Sequence, residues 1–318
     1  QRQPKKIEYP QAKTMDIADT RVFYLSDHEL PLVDLTLLVK AGSVDVDDSR
    51  IGLAALLTDS IIRGGTETRS PAELARVLDE NAIHLSVAVG EEEAVIRLSV
   101  LKDDWQSGLA ILQEILTRPA FDAGVLDVVK TQQLTELKRQ GGNAQAVAGR
   151  ERDIWYFKGH PYGRDPLAGL QSIPLIGRED LKQFLRDYFV PSNMVAAIAG
   201  DIDQEDVTAG LSQFFAALPQ TRAPQRNLAD PAETSPVLAL IHKPGQVQSQ
   251  IVLSLPSVKR THPDYWKISL LMNIFGGGDS LMYTRLRDDL GLVYSAGFHQ
   301  TYKWNAGFLT GYIGCKGD

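Results

Sequence analysis

The chain has 318 residues, 43% hydrophobic and 23% charged, with a formal net charge of −7. That supplies enough apolar material for one large domain or two medium ones. The acidic balance argues against a nucleic-acid partner, which needs a basic stripe of lysine and arginine, and weakly against docking on an anionic membrane.

No run approaches the roughly 20 consecutive apolar residues of a membrane helix. The longest, Ile51–Leu57 and Met194–Ala199, have the length of core elements. The opening residues Gln1-Arg2-Gln3-Pro4-Lys5-Lys6 carry no apolar h-region and do not form a signal peptide. Cys315, the single cysteine, excludes an internal disulfide and any cysteine-based zinc site.

Strands and helices are mixed from beginning to end, so the class is α/β or α+β. Arg21–Leu25 and Leu32–Lys40 are expected as strands meeting at a polar turn around Ser26–Glu29. Ser49 is placed to cap a helix over 50–63 that Gly64-Gly65 ends, and Pro71 opens a second helix running to Glu80. Strands His84–Val89 and Glu93–Leu101 turn at Gly90. Helices then follow over 104–117, 123–140 and 144–157, and a glycine- and proline-bearing loop over 158–173. Helix 178–188, strand 194–199 and helix 205–218 complete a first unit.

The segment 219–236, rich in Pro, Ala, Asp and Arg, has the composition of a linker. Beyond it, Val237–Ile241 and Gln250–Leu255 are expected strands and Tyr265–Phe275 a helix broken by Gly276-Gly277-Gly278. A short helix over 280–289 and strands 293–298 and 307–313 follow. The expected organisation is a first domain over 1–220, a linker over 221–236 and a shorter, incomplete second domain over 237–318. The strand–strand–helix opening of the first is echoed in the second, a hint of internal duplication.

Two stretches have family-level specificity. Gly52-Leu53-Ala54-Ala55-Leu56-Leu57-Thr58-Asp59, followed by Gly64-Gly65-Thr66, resembles the zinc helix of the pitrilysin/insulinase-like (M16) metallopeptidases. His160-Pro161-Tyr162-Gly163, Pro191-Ser192-Asn193-Met194 and Gly200-Asp201 follow in that family's order, then Phe275-Gly276-Gly277-Gly278, Arg287 and Gly291-Leu292-Val293-Tyr294-Ser295. The resemblance implies two related domains, each a largely antiparallel or mixed sheet with helices mainly on one face.

In that family the helix carries H-x-x-E-H, in which residues four apart share a helical face, so two imidazoles hold one zinc and the glutamate acts as general base. Here the two histidine positions are Ala55 and Asp59, and the glutamate position is Thr58. Ala55 cannot bind a metal and Thr58 cannot take a proton from water near neutral pH. The family's third ligand, a glutamate on a later helix, matches Glu136, which shares a face with Val129 and Gln132 and could point towards Asp59. Two carboxylates do not make a catalytic zinc site, which uses three protein ligands and commonly includes histidine.

No replacement is visible in the sequence. None of His28, His84, His160, His242, His262 and His299 pairs with another at ligand spacing, there is no G-x-S-x-G elbow, and the glycine run lacks the Lys-Ser/Thr of a P-loop. The family resemblance leaves a different role. Its C-terminal domain presents an Arg and a Tyr seven residues apart, which bind the peptide and polarise its carbonyl, and Arg287 and Tyr294 stand at that spacing with Arg285 the nearest competitor. The resemblance therefore implies a catalytically inactive subunit with no cofactor of its own. It would pair with a zinc-binding catalytic subunit around an unstructured peptide, and by analogy with exported bacterial members it would be periplasmic. The alternative is a structural or peptide-binding homologue with no part in proteolysis.

Overall fold

The computed structural model of the chain describes residues 10–232, 235–276 and 280–316. In chain order the strands are β1 (Lys13–Ile17), β2 (Thr20–Ser26), β3 (Leu32–Val39), β4 (His84–Val89), β5 (Ala94–Leu101), β6 (Met194–Gly200), β7 (Gln248–Ser257), β8 (Val293–Tyr302) and β9 (Gly307–Lys316). The α-helices are α1 (Leu53–Ser60), α2 (Pro71–Glu80), α3 (Trp105–Thr117), α4 (Ala123–Gly142), α5 (Ala144–Tyr156), α6 (Gly169–Ser172), α7 (Arg178–Tyr188), α8 (Gln204–Ala217), α9 (Tyr265–Gly276) and α10 (Leu281–Tyr283). They form two compact units, Gln1–Gln133 with Ser172–Gln225, and Leu134–Gln171 with Arg226–Asp318. No helix among the described residues is long and apolar enough to cross a membrane.

The first unit is built on a six-stranded sheet of order β1-β2-β6-β3-β5-β4, antiparallel except where β2 runs parallel to β6. Alternation decides its faces. Val33, Leu35, Leu37 and Val39 of β3 are buried, as are Ile96, Leu98 and Val100 of β5 and Ala196 and Ile198 of β6. The register aligns them, with Leu35 opposite both Leu98 and Ile198, so all lie on one face. Leu56 and Leu57 of α1, Leu112 and Ile115 of α3, Leu181 of α7 and Leu211 of α8 are buried in the same unit. Local signals agree with the helices: Ser70 and Glu73 form a capping box ahead of Pro71, the first residue of α2.

The expected pairing of the first two long strands is corrected by the structure. β2 and β3 are not neighbours: β6, from more than 150 residues later, lies between them. The polar connection after Ser26 has no tight two-residue turn that would hold a hairpin closed. Buried bonds tie β2 to both ends of β6 instead. Thr20 Oγ1 donates to the Pro191 carbonyl at 2.8 Å and Tyr24 Oη to that of Ile202 at 2.6 Å. On its other side Gly200 lets β6 approach β3, because a Cβ there would sit 2.1 Å from the Leu32 carbonyl oxygen and its φ is +134°. The start of α1 is also corrected: Gly52, left-handed at φ 101°, stands at the N-cap, and Asp48–Arg50 forms a separate 3₁₀ turn capped by Asp47.

The second unit holds an antiparallel sheet of order β7-β9-β8. α9 packs against β8 and α5 against β7. Phe157 meets Phe308 at 5.4 Å between ring centroids, and Arg152 lies over Phe308 while donating to Thr310 Oγ1 at 2.8 Å. The expected strand Val237–Ile241 does not form; Leu238 and Leu240 are almost fully exposed. β-branched and aliphatic residues favour a strand only where another edge satisfies their backbone groups, and none of the described strands pairs with this segment. The expected glycine break falls partly on Gly277 and Gly278, which lie outside the described residues.

Candidate functional site

The residues of the degenerate zinc motif come from the outer face of α1. Leu53, Ala54, Leu56 and Leu57 turn inward and are buried, leaving Ala55 and Asp59 exposed and Thr58 half-buried. Thr58 has a definite role. Its hydroxyl donates to the Ala54 carbonyl at 3.1 Å and accepts from the Val89 N–H at 2.8 Å. Val89 ends β4, the edge strand of the sheet, so the hydroxyl caps one of the edge donors and fastens the helix to it.

Asp59 accepts a hydrogen bond from Gln133 Nε2 at 3.0 Å, and one turn later Arg63 donates to Gln132 Oε1 at 3.3 Å. The α4 side chain that reaches Asp59 is Gln133. Glu136 is occupied within its own helix: Arg139 donates to its two oxygens at 2.7 and 2.6 Å, and Gln140 Nε2 at 3.0 Å. The forked Arg139 guanidinium, with the Gln140 amide, holds the Glu136 carboxyl down at about 2. Such a fork is a strong, planar form of carboxylate recognition. Arg139 follows Glu136 by three residues, the spacing of a helical ion pair.

These positions do not fit a zinc ion. Ala55 has no donor atom, the Thr58 hydroxyl is bonded on both sides, and the carboxylates of Asp59 and Glu136 each hold a nitrogen donor. Among the described residues no group of three His, Cys, Asp or Glu could hold a metal ion.

Arg287 and Tyr294 lie in the second unit, both on irregular backbone. Thr284–Asp289 is a π-helical turn continuing α10, and Gly291 closes it at φ +63°, with Leu292 N–H donating to the Leu286 carbonyl at 2.9 Å. The Arg287 guanidinium lies 5.0 Å from the Tyr283 ring centroid and makes no ion pair among the described residues. Arg285, the competing residue, is paired with Asp289 at 3.0 Å. Tyr294 is the extra residue of a β-bulge: Val293 pairs with Cys315 and Ser295 with Gly314, leaving Tyr294 without an opposite number and 52% exposed. π-turns and bulges re-aim side chains and are common at functional sites. Neither irregularity has a signature in the sequence.

Two family profiles match the chain. The insulinase (peptidase family M16) profile covers residues 21–165, and the peptidase M16 inactive-domain profile covers 176–318. The non-peptidase homolog YmxG of Helicobacter pylori is 27% identical over 94% of this chain and 69% of its own length. An uncharacterized zinc protease of Rickettsia bellii is 25% identical over 90% of this chain and 69% of its own. Among solved structures, the peptidase M16 inactive domain from Pseudomonas fluorescens superposes with a TM-score of 0.88 at 26% identity, covering 96% of this chain and 75% of the other. With both halves matched by profiles of one family and the fold shared, the chain belongs to the M16 (insulinase) peptidase family.

Proposed function

We propose that the chain is the non-catalytic subunit of a two-chain M16 zinc peptidase, forming one wall of the chamber that encloses an extended peptide. The observation that carries this reading is the contrast between its two sets of family positions. Ala55 offers no ligand, and Thr58, Asp59 and Glu136 are engaged by other side chains or by backbone. Arg287 and Tyr294 are exposed, and nothing among the described residues neutralises the guanidinium. In this reading the partner subunit binds the zinc and carries the general base, and this chain binds none. Arg287 and Tyr294 donate hydrogen bonds to the peptide and to the carbonyl oxygen as negative charge develops on it. An unstructured peptide suits the role, because only an extended chain can add to a sheet edge in the partner. By analogy with exported two-chain bacterial members of the family, this reading includes a periplasmic location.

The similarity to YmxG, described as a non-peptidase homologue, supports the inactive half of the proposal. The test is reconstitution with the zinc-bearing M16 chain of the same organism. The mixture should cleave unfolded peptides while each chain alone does not. Arg287→Ala and Tyr294→Phe should each lower kcat about tenfold or more, with the complex still assembling on a sizing column. Unchanged turnover in both variants would assign the two residues to the fold alone. If mixing never yields activity, the chain is a structural or peptide-binding homologue instead.

A further inference from the structure

Where β2 and β6 finish side by side, four polar side chains of the first unit meet: Ser26, His28, Lys102 and Asp201. Ser26 Oγ lies 2.7 Å from His28 Nε2, His28 Nδ1 is hydrogen-bonded to Asp201 Oδ1, and Lys102 Nζ donates to the same Asp201 oxygen at 3.0 Å. The backbone beneath them is pinned. Asp27 N–H donates to the Gly200 carbonyl at 2.9 Å, Lys102 N–H to that of Pro31 at 3.0 Å, and Asp201 N–H to that of Leu32 at 2.8 Å. The Asp201 side chain is only 18% exposed, whereas that of His28 is 57% exposed and Ser26 faces solvent.

The order of contacts sets the proton positions. Hydrogen bonds from His28 and then Lys102 hold the Asp201 carboxyl below the usual carboxylate range, so it is charged and accepts only. In the neutral imidazole His28 Nδ1 then carries the hydrogen, and the Nε2 lone pair faces the Ser26 hydroxyl. This is the Ser–His–Asp connectivity of serine acyl transfer, which recurs on unrelated folds and is recognised by geometry, not by sequence order. None of these residues belongs to the degenerate zinc motif or to the Arg287–Tyr294 pair.

We propose that Ser26 is a nucleophilic serine that accepts acyl groups from small activated esters, with His28 as its base and Asp201 as the residue that orients the imidazole. Ser26 Oγ bonds to the ester carbonyl carbon as its proton passes to His28 Nε2. The bond from that carbon to the alkoxy oxygen breaks, and the alcohol departs with the proton from His28. Water, deprotonated by the same nitrogen, then releases the carboxylic acid and restores Ser26. The open surface suits small aryl esters, not a peptide threaded into a cleft.

The test uses the purified chain with p-nitrophenyl acetate and, separately, with a fluorophosphonate probe, locating the adduct by peptide mass spectrometry. The expected result is a burst of p-nitrophenol and an adduct on Ser26, formed at least tenfold faster than on the exposed Ser49 and Ser107. Ser26→Ala should abolish the burst, and His28→Gln should slow adduct formation at least tenfold with an unchanged circular dichroism spectrum. Asp201→Asn should slow it as well, and Asp201→Glu, which keeps the carboxylate, should recover part of the rate. Labelling of Ser26 no faster than of Ser49, or at an equal rate in His28→Gln, would overturn the proposal.

Discussion

Replacing Thr58 by valine removes one hydroxyl and keeps the shape of the side chain. The hydroxyl accepts from the Val89 N–H at 2.8 Å and donates to the Ala54 carbonyl at 3.1 Å. The second loss matters little, because that carbonyl is also within reach of the helix ladder. The first leaves the Val89 N–H, on the open side of an edge strand, without its partner. An orphaned buried amide costs about 1–3 kcal/mol. Val89 and Thr58 are only half-buried, so water recovers part of this and the lower end applies, about 1 kcal/mol. Spent on local opening of the end of β4, that is about fivefold in an opening equilibrium. Amide hydrogen exchange at Val89, read residue by residue by NMR, reports it directly without assuming that a chain of two units unfolds in one step. Thr58→Val should speed exchange at Val89 about fivefold and leave β3 amides unchanged, and Thr58→Ser should keep the protection. Equal protection in wild type and Thr58→Val would show that the hydroxyl does not cap the strand and that the account of this position is wrong.

Glu136 should titrate near 2, and Arg139→Ala should return it towards the ordinary glutamate range, as followed by the side-chain carboxyl ¹³C shift. Because the folded value is depressed, the stability linked to this group is present above the unfolded value of 4.5 and is lost as pH falls towards about 2; a wild-type midpoint near 4.5 would refute the fork. Gly200→Ala should destabilise the first unit by at least about 2 kcal/mol, since a Cβ would strike the Leu32 carbonyl at a φ that side chains rarely adopt. An unchanged urea midpoint would contradict it. Glu114, 6% exposed, pairs with Arg69 and accepts from the hydroxyls of Thr66 and Thr68. Glu114→Ala should therefore cost about 3 kcal/mol and open the segment 64–70 to limited proteolysis; a digestion pattern like wild type would show that other contacts hold that loop.

Much of the fold was legible because local signals and periodicity agreed. The Ser70–Glu73 box with Pro71 marks α2, and the alternation in β3 and β5 marks their buried face. What escaped depends on distant partners. Insertion of β6 between β2 and β3 is a long-range pairing with no local signal, and Val237–Ile241 has the composition of a strand but no edge to join. The zinc-helix resemblance pointed to Ala55, Thr58, Asp59 and Glu136, yet side-chain identity alone registered only missing ligands. That Thr58 caps an edge amide, or that Gln133 meets Asp59, requires β4 and α4 to be placed beside α1 first. The cluster of Ser26, His28 and Asp201 was hidden for the same reason, since more than 170 residues separate the aspartate from the other two.

The Thr58 bond to β4 also bears on whether the family's chemistry could return. Three substitutions on α1 would be needed to restore a histidine, a glutamate and a second histidine, and none of them helps alone. Changing Thr58 removes the hydroxyl that caps Val89, and changing Asp59 gives up an exposed hydrogen bond from Gln133 that water replaces, before any metal is held. An intermediate changed at Thr58 would lose stability and gain no activity, whereas a change at the exposed Ala55 disturbs no such bond. A metal centre on α1 and an intact edge strand thus compete for one residue: position 58 cannot carry the family's glutamate and also cap the Val89 amide with a hydroxyl.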